Sequence, residues 1–157
     1  MSKDTMLTPL GHDEGIEMKA ETFISEDYRP AEDEPFMNDK QLEYFRRKLL
    51  HWKADLLADT RDTIEGLQDG TRNIPDVADR ASEETDRALE LRTRDRQRKL
   101  VAKIDSALRR IDEGEYGYCE VTGEPISLKR LDARPIATMS LEAQERHERR
   151  EKVHRDD

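Results

Sequence analysis

The sequence is poor in the residues that build a large apolar core or a cross-linked fold. Of its 157 residues, 34% are hydrophobic and 5% are aromatic, whereas 41% are charged. So little apolar material cannot fill a round interior, and it is typical of exposed helices with a narrow apolar seam. The single cysteine, Cys119, excludes an internal disulfide.

Long apolar runs are also missing. No stretch approaches the roughly 20 residues of a membrane-spanning helix, and the first residues lack the apolar centre of a signal peptide. We therefore expect a soluble, cytoplasmic protein without a membrane partner. The net charge of −9 argues against a general affinity for DNA phosphates.

Most of the negative charge lies near the beginning of the chain. Residues 1–39 hold eleven acids against three bases and so supply −8 of the total. We predict an acidic N-terminal segment over residues 1–37. Two interpretations stay open: a disordered tail, or a part of the globular body that packs Leu10, Ile16 and Phe23.

Two long charged segments flank Gly70 and Pro75, and both have helical spacing. Asn38, followed three residues later by Gln41, is typical of a capping box at a helix start. Apolar residues then recur at alternating steps of three and four, as in a coiled coil. They are Leu42, Phe45, Leu49, Trp52 and Leu56.

A second helix is expected to begin between Asp76 and Asp79 and to end near Gly114, because glycine commonly terminates helices. Its spacing predicts a second apolar stripe that faces the first helix. The predicted inward positions are Ala81, Ala88, Leu91, Leu100, Ile104, Leu108 and Ile111.

Two helices of similar length, joined by a few residues, fold back into an antiparallel hairpin. We predict a hairpin over residues 38–113 with its tip at 70–81, and about 30 residues per helix give an arm of roughly 45 Å. The stripes align if facing residues have numbers that sum to about 148, as for Leu57 and Leu91. The arm is expected to be firmest at its base and to fray at its acidic tip.

Residues 114–157 are predicted to form a small knuckle and a last helix. The turn-rich stretch 114–126 indicates short strands, and 128–135 a loop or short strand. Ser140 is predicted to cap the last helix. Packing of the apolar knuckle residues would maintain its shape; these are Tyr116, Tyr118, Val121, Ile126, Leu128, Leu131 and Ile136.

Residues 92–103 are strongly basic, with Asp95 as the single acid. One interpretation is a solvated helix face. The other is a docking face for an acidic protein or a phosphate-bearing ligand. The cationic residues are Arg92, Arg94, Arg96, Arg98, Lys99 and Lys103.

Several motifs, in order over about residues 36–152, resemble the DksA/TraR family. They are Phe45-Arg46-Arg47, the tip stretch 73–81, the basic stretch 90–100, Gly117-Tyr118-Cys119, Leu131-x-Ala133-Arg134-Pro135 and Arg150-Glu151-Lys152. The resemblance implies a regulator, not an enzyme, that binds bacterial RNA polymerase and inserts its coiled-coil tip into the secondary channel. It also implies altered initiation at promoters such as those for ribosomal RNA, together with guanosine tetraphosphate and without specific DNA contacts.

The resemblance implies roles for the tip residues. Asp76 and Asp79 match the acids that act beside the polymerase active centre, and Asn73 and Ala81 match other tip positions tied to activity. From the residues alone, an Asp-x-x-Asp pair at a helix start equally fits a cap that complements the helix dipole.

The resemblance also implies a binding site for the effector, guanosine tetraphosphate, and a further contact with the polymerase. Lys103 and Arg134 match phosphate-binding positions, with Arg130 as a possible helper and Leu100 close by. The alternative for Lys103 and Arg134 is an ordinary surface charge. A third basic family position is matched by Gln144, which is expected to weaken the affinity, with Arg149 or Arg150 as candidate replacements. Arg92 and Arg96 are candidates for gripping the channel rim.

The chain departs from the family at its zinc site. Where the family has two Cys-x-x-Cys pairs, this chain has Cys119, Thr122, Ser140 and Ala143. One thiolate, two hydroxyls and a methyl group cannot make a tetrahedral zinc site. We therefore expect no metal cofactor, and a knuckle suited to conditions in which zinc is scarce or thiols are oxidised.

The sequence allows two other functional classes. A coiled-coil adaptor or chaperone that binds other proteins is the main alternative. A groove that binds a partner helix needs an apolar stripe, however, and the acidic tip lacks one. A nuclease that uses Asp76 and Asp79 lacks a third ligand or base nearby. The thin seam of an intramolecular hairpin favours a monomer.

Overall fold

Four helices account for most of the described chain. The computed structural model describes residues 22–69 and 77–155, with side chains described for 22–66 and 80–155. In order, the helices are α1 Asp39–Asp69, α2 Val77–Glu113, α3 Leu128–Ala133 and α4 Leu141–Arg155. Residues 22–69 and 77–155 contain no β-strand and no helix long and apolar enough to cross a membrane. The predicted mainly α fold is confirmed.

Helix α1 begins where the cap was predicted. Asn38 Oδ1 accepts a 2.9 Å hydrogen bond from the Gln41 backbone N–H. The Gln41 side chain accepts from the Met37 N–H at 2.8 Å and donates to the Ala31 carbonyl at 3.2 Å. Gln41 is fully buried, so its amide joins the helix start to the segment that precedes it.

The predicted hairpin of α1 and α2 is confirmed, and its base is the core of the molecule. There the two helices meet the knuckle and the beginning of α4. The buried residues of this core are Phe45, Leu49, Ile104, Ala107, Ile111, Tyr116, Cys119, Ile126, Leu131, Ile136, Ala137 and Ala143.

The predicted register of the hairpin is wrong. Three contacts between the helices, Arg46–Asp112, Lys53–Asp105 and Thr60–Gln97, join residues whose numbers sum to 157 or 158. The expected sum of 148 assumed that the chain folds symmetrically about its tip. The register instead follows the buried core and the flanking ion pairs at the base, where most apolar area is removed from water.

The outer half of the seam is more open than expected. Ala81 and Ala88 are exposed rather than inward, and Leu91 is 52% exposed. Because the register is displaced, Leu91 does not lie level with Leu57, and the two residues line the same open cleft between the helices. Fraying of the tip stays a prediction.

Residues 22–38 pack against the body rather than trailing from it. Ile24 is buried, and the Tyr28 ring packs edge-on against Tyr44 with centroids 6.2 Å apart. Phe23 is 84% exposed, so the interpretation in which it packs on the body does not hold for this residue. Leu10 and Ile16 lie outside the described residues.

The knuckle has less strand and more helix than predicted. One isolated bridge, Tyr118 with Pro125, stands in place of the short strands. Residues 128–135 were expected to form a loop or a short strand, but they contain α3, which the Ser127 hydroxyl caps by accepting from Arg130 N–H at 3.2 Å. Tyr118 and Val121 are 41% and 67% exposed, so they contribute less packing than expected.

Candidate functional site

A cavity of about 380 Å³ lies beside the end of α2, between that helix, α3 and the start of α4. Three of the predicted effector residues, Lys103, Arg130 and Arg134, line it together. They are up to 31 positions apart in sequence, so the fold brings them together. The remaining lining residues are Ser106, Arg110, Glu120, Ile136, Ala137, Thr138, Met139 and Gln144.

Short connections around α3 position two of these cations. Arg130 sits on α3, and its Nε donates to the Met139 carbonyl at 2.9 Å. Arg134 ends the same helix, and its backbone N–H donates to the Arg130 carbonyl at 2.8 Å. The cavity wall is thus held by bonds that leave most guanidinium N–H groups of both residues available.

The cavity is electropositive. Of its lining residues, four are cationic and one, Glu120, is acidic. Within the described chain, none of the four cations forms an ion pair with a carboxylate within 4 Å. Clustered Arg and Lys side chains of this kind suit phosphate oxygens, which accept charge-assisted hydrogen bonds. The cationic lining residues are Lys103, Arg110, Arg130 and Arg134.

The lining of the cavity differs from the expected effector residues at two positions. Leu100, expected to lie close by, is half-buried against the core and is not itself a lining residue. Arg110 lines the cavity, and sequence reasoning missed it. The signal was available, because Arg110 follows Lys103 by seven residues, which returns a helical residue to almost the same face.

A basic stripe runs along one face of α2 to this cavity. Its members are spaced by four, three, four and seven residues, so at 100° per residue they fall within a sector of about 60°. Arg92 and Arg96, the predicted rim contacts, are exposed. Lys99 is held by Asp95 at 3.1 Å. The stripe is Arg92, Arg96, Lys99, Lys103 and Arg110.

The predicted tip residues lie mostly beyond what the structure describes. Asn73 and Asp76 are outside the described residues. Asp79 belongs to α2, and its side chain is not among those described. Ala81 is exposed on the same helix. The roles of these four residues stay predictions.

The residues at the family's zinc positions do not fit zinc. Ser140 Oγ accepts from Ala143 N–H at 3.3 Å and so caps α4, and Thr122 Oγ1 accepts from Glu124 N–H at 3.3 Å. Ala143 is buried and offers no ligand atom. Across residues 22–69 and 77–155, no group of three or more His, Cys, Asp or Glu side chains could hold a metal.

Cys119 is instead an enclosed thiol, 2% exposed. Burial acts to raise its pKa, but hydrogen bonding from the Thr122 hydroxyl and from the backbone of Ser140, Thr122 and Val121 outweighs burial and lowers the pKa to about 6. The Cys119 sulfur thus has hydrogen-bond donors around it, as a metal-bound sulfur would, whereas the other three family zinc positions have no cysteine.

Backbone hydrogen bonds surround Cys119 in the knuckle. Cys119 N–H donates to the Glu124 carbonyl at 2.8 Å, and Gly123 N–H returns to the Cys119 carbonyl at 2.8 Å. Glu120 N–H donates to the Thr138 carbonyl at 2.8 Å. The first two bonds close the turn at residues 119–124, and the third joins this turn to the segment that precedes α4.

Two family models together match most of the chain. The model described as "DnaK suppressor protein DksA, N-terminal domain" matches residues 41–111. The model described as "Prokaryotic dksA/traR C4-type zinc finger" matches residues 114–149. The second match is notable because three of the four cysteines named in its description are absent here.

Similar proteins with assigned names were found in several bacteria. The RNA polymerase-binding transcription factor DksA of Caulobacter vibrioides (strain NA1000 / CB15N) is 69% identical over 89% of this chain and 100% of its own length. Its namesake in Escherichia coli (strain K12) is 41% identical over 81% of this chain and 84% of its own. The solved structure of transcription factor DksA2 from Pseudomonas aeruginosa superposes with a TM-score of 0.70, at 43% identity, over 74% of this chain and 90% of that one.

Proposed function

The chain belongs to the DksA/TraR family, and we propose that it is a transcription factor that binds bacterial RNA polymerase. The observation that carries this proposal is the 69% identity to a relative with that name across the relative's whole length. The family models support it as well, because they match residues 41–111 and 114–149, a range that includes the basic stripe and most of the hairpin and the knuckle.

We propose that the hairpin enters the secondary channel of the polymerase. Helix α1 has 31 residues and α2 has 37, so at 1.5 Å per residue the arm is roughly 45 to 55 Å long. Asp76 and Asp79 would then reach the active centre, with Asn73 and Ala81 beside them. Carboxylates delivered there compete for magnesium and basic groups without performing a chemical step, so we expect no enzymatic activity.

The exposed part of the basic stripe supports a contact with the channel rim. Arg92 and Arg96 share one face of α2 and have no ion-pair partner among the described side chains. Acidic groups on the rim would satisfy them, and such contacts raise association rates at low salt.

We propose that the cavity at the end of α2 takes guanosine tetraphosphate as a regulatory ligand. The convergence of Lys103, Arg130 and Arg134 on one electropositive cavity supports this. The effector would add to the action of the protein at promoters such as those for ribosomal RNA. Gln144 also lines the cavity and, being neutral, would make effector binding weaker than in relatives with a basic residue there.

The remaining features follow from the same proposal. The protein would act in the cytoplasm as a monomer, without specific contacts to DNA. It would need no zinc, because the knuckle is closed by hydrogen bonds and packing. A coiled-coil adaptor or chaperone stays the second candidate, and the half-exposed Leu57 and Leu91 in the cleft of the arm are the observation that favours it.

Co-purification and transcription in vitro separate these candidates. The tagged chain should retain core RNA polymerase on a column, and the purified protein should inhibit a ribosomal RNA promoter more strongly when guanosine tetraphosphate is added. A chain that retains other proteins but not the polymerase, or that binds polymerase and leaves initiation unchanged, would contradict the proposal and favour an adaptor.

A further inference from the structure

Arg110 is the cation of the effector cavity that is most closely tied to the core. It lies near the end of α2, and its Nη1 donates to Ser106 Oγ at 3.3 Å. Its Nη2 is buried and has no hydrogen-bond partner in the described part of the chain. Lys103 and Arg134, in contrast, are exposed.

A buried guanidinium donor without an acceptor is energetically unfavourable. Nearby groups do not relieve it. The cavity also holds Arg130 and two further cations, and its single acid, Glu120, accepts a hydrogen bond from Thr138 at 3.2 Å. An anion that enters the cavity would supply the missing acceptor and reduce the repulsion among the cations at the same time.

We propose that Arg110 is a fourth phosphate-binding residue of this cavity and takes the role of the basic side chain that Gln144 does not supply. The inference deepens the proposed effector binding and rests on it. Arg110 lies one heptad beyond Lys103 on the same face of α2, so one diphosphate group can contact both. The planar guanidinium presents two parallel N–H donors, a geometry that matches two phosphate oxygens.

Because Arg110 is half-buried whereas Lys103 and Arg134 are exposed, Arg110 binds the more deeply inserted phosphates. Lys103 and Arg134 then contact the outer oxygens. This division of roles explains how the site retains four cationic contacts although position 144 is neutral. It also distinguishes the proposal from a structural role, in which Arg110 would serve only as a partner of Ser106.

The test measures binding of radiolabelled guanosine tetraphosphate to the complex of the full chain with core RNA polymerase, after subtraction of binding to polymerase alone. Arg110→Gln should raise the Kd about tenfold, which corresponds to about 1.4 kcal/mol. Arg110→Lys keeps the charge but loses the paired N–H donors of the guanidinium, so its Kd should lie between those of the parent and Arg110→Gln. Arg109→Gln removes the same charge from the adjacent exposed position and should stay within twofold of the parent.

The outcomes separate this inference from the proposed function. If Lys103→Gln weakens binding and Arg110→Gln does not, Arg110 has no role and the inference is overturned, while the effector site stands. If neither substitution changes binding, the effector site itself is wrong, and the inference with it. Urea denaturation shows whether Arg110→Gln is folded. If it is not, Arg110→Lys is the deciding variant, and an unchanged Kd for Arg110→Lys overturns the inference.

Discussion

The Tyr116 hydroxyl donates a 2.7 Å hydrogen bond to the backbone carbonyl of Pro135. Tyr116 is 1% exposed, and burial raises its pKa, so the hydroxyl stays a neutral donor. Tyr116 follows α2 by three residues, and Pro135 follows the cation Arg134. This bond therefore attaches one wall of the effector cavity to the end of the arm.

Removing that hydroxyl should weaken the body. Tyr116→Phe leaves the Pro135 carbonyl buried without its donor, and we expect the free energy of unfolding to fall by about 1–2 kcal/mol. Urea denaturation followed by circular dichroism measures the change. Tyr118→Phe is the control, because Tyr118 is 41% exposed. Equal effects of the two substitutions would show that the bond to Pro135 contributes nothing particular.

Asp132 should make the stability depend on pH in the acid range. Its Oδ1 accepts hydrogen bonds from Lys48 and Tyr44, both at 2.7 Å, and these, with the Lys48 bond first, lower its pKa. The carboxyl is half-exposed, so its contribution is at most about 1 kcal/mol. Because the pKa is lowered on folding, this contribution is complete at neutral pH and is lost as the pH falls through the folded-state value.

The matching experiment compares the parent with Asp132→Asn at several pH values. The variant should be less stable at pH 7, and the two free energies of unfolding should converge as the pH falls below the lowered pKa of Asp132. Asp27→Asn, an exposed acid without an ion pair in the described chain, should show no such convergence. A gap between parent and Asp132→Asn that persists unchanged at low pH would mean that the charge of Asp132 is not the cause.

Asp79→Asn should separate binding from regulation. The substitution removes the charge but keeps the size of the side chain, so co-purification with RNA polymerase should be unchanged, while inhibition at a ribosomal RNA promoter should be lost. Asp86→Asn makes the same change seven residues further along α2, at an exposed position, and should regulate like the parent. Normal regulation by Asp79→Asn would remove Asp79 from the proposed mechanism.

The protein should be indifferent to metal chelators and to peroxide. We expect a purified preparation to contain less than about 0.1 zinc per chain, and neither its melting temperature nor its transcriptional activity should change with a chelator. Peroxide should also leave activity intact, because Cys119 is 2% exposed and reagents reach it poorly. Activity that a chelator abolishes would refute the metal-free knuckle, whereas activity lost to peroxide alone would show that peroxide reaches the Cys119 thiolate.

A gain-of-zinc variant is the positive control for that experiment. Replacing three residues together, Thr122→Cys, Ser140→Cys and Ala143→Cys, restores four sulfur ligands on a backbone that already surrounds Cys119 with hydrogen-bond donors. The variant should bind one zinc per chain and become sensitive to chelators. If it binds no zinc, the knuckle has departed from the family geometry further than its ligands alone indicate.

The helices and their boundaries could be predicted because the signals for them are local. The Asn38 cap, the three-and-four spacing of apolar residues and Gly114 lie within a few residues of what they control. Local signals misled where a buried partner decided the outcome. The stretch 128–135 was expected to form a loop or a short strand, but it contains α3, which buries Leu131 completely.

The sequence by itself determined that this chain is a long, thin, mainly helical protein with too few cysteines for zinc, because composition and periodicity suffice for both. Tertiary structure alone decided the register of the hairpin and the grouping of the effector cations. The register depends on which apolar faces and ion pairs meet at the base, through contacts more than 50 positions apart. The spacing of Lys103 and Arg110 on one face of α2 can be read from the sequence. That Arg130 and Arg134 lie at the same cavity depends on the tertiary structure, because no local pattern relates α3 to that face of α2.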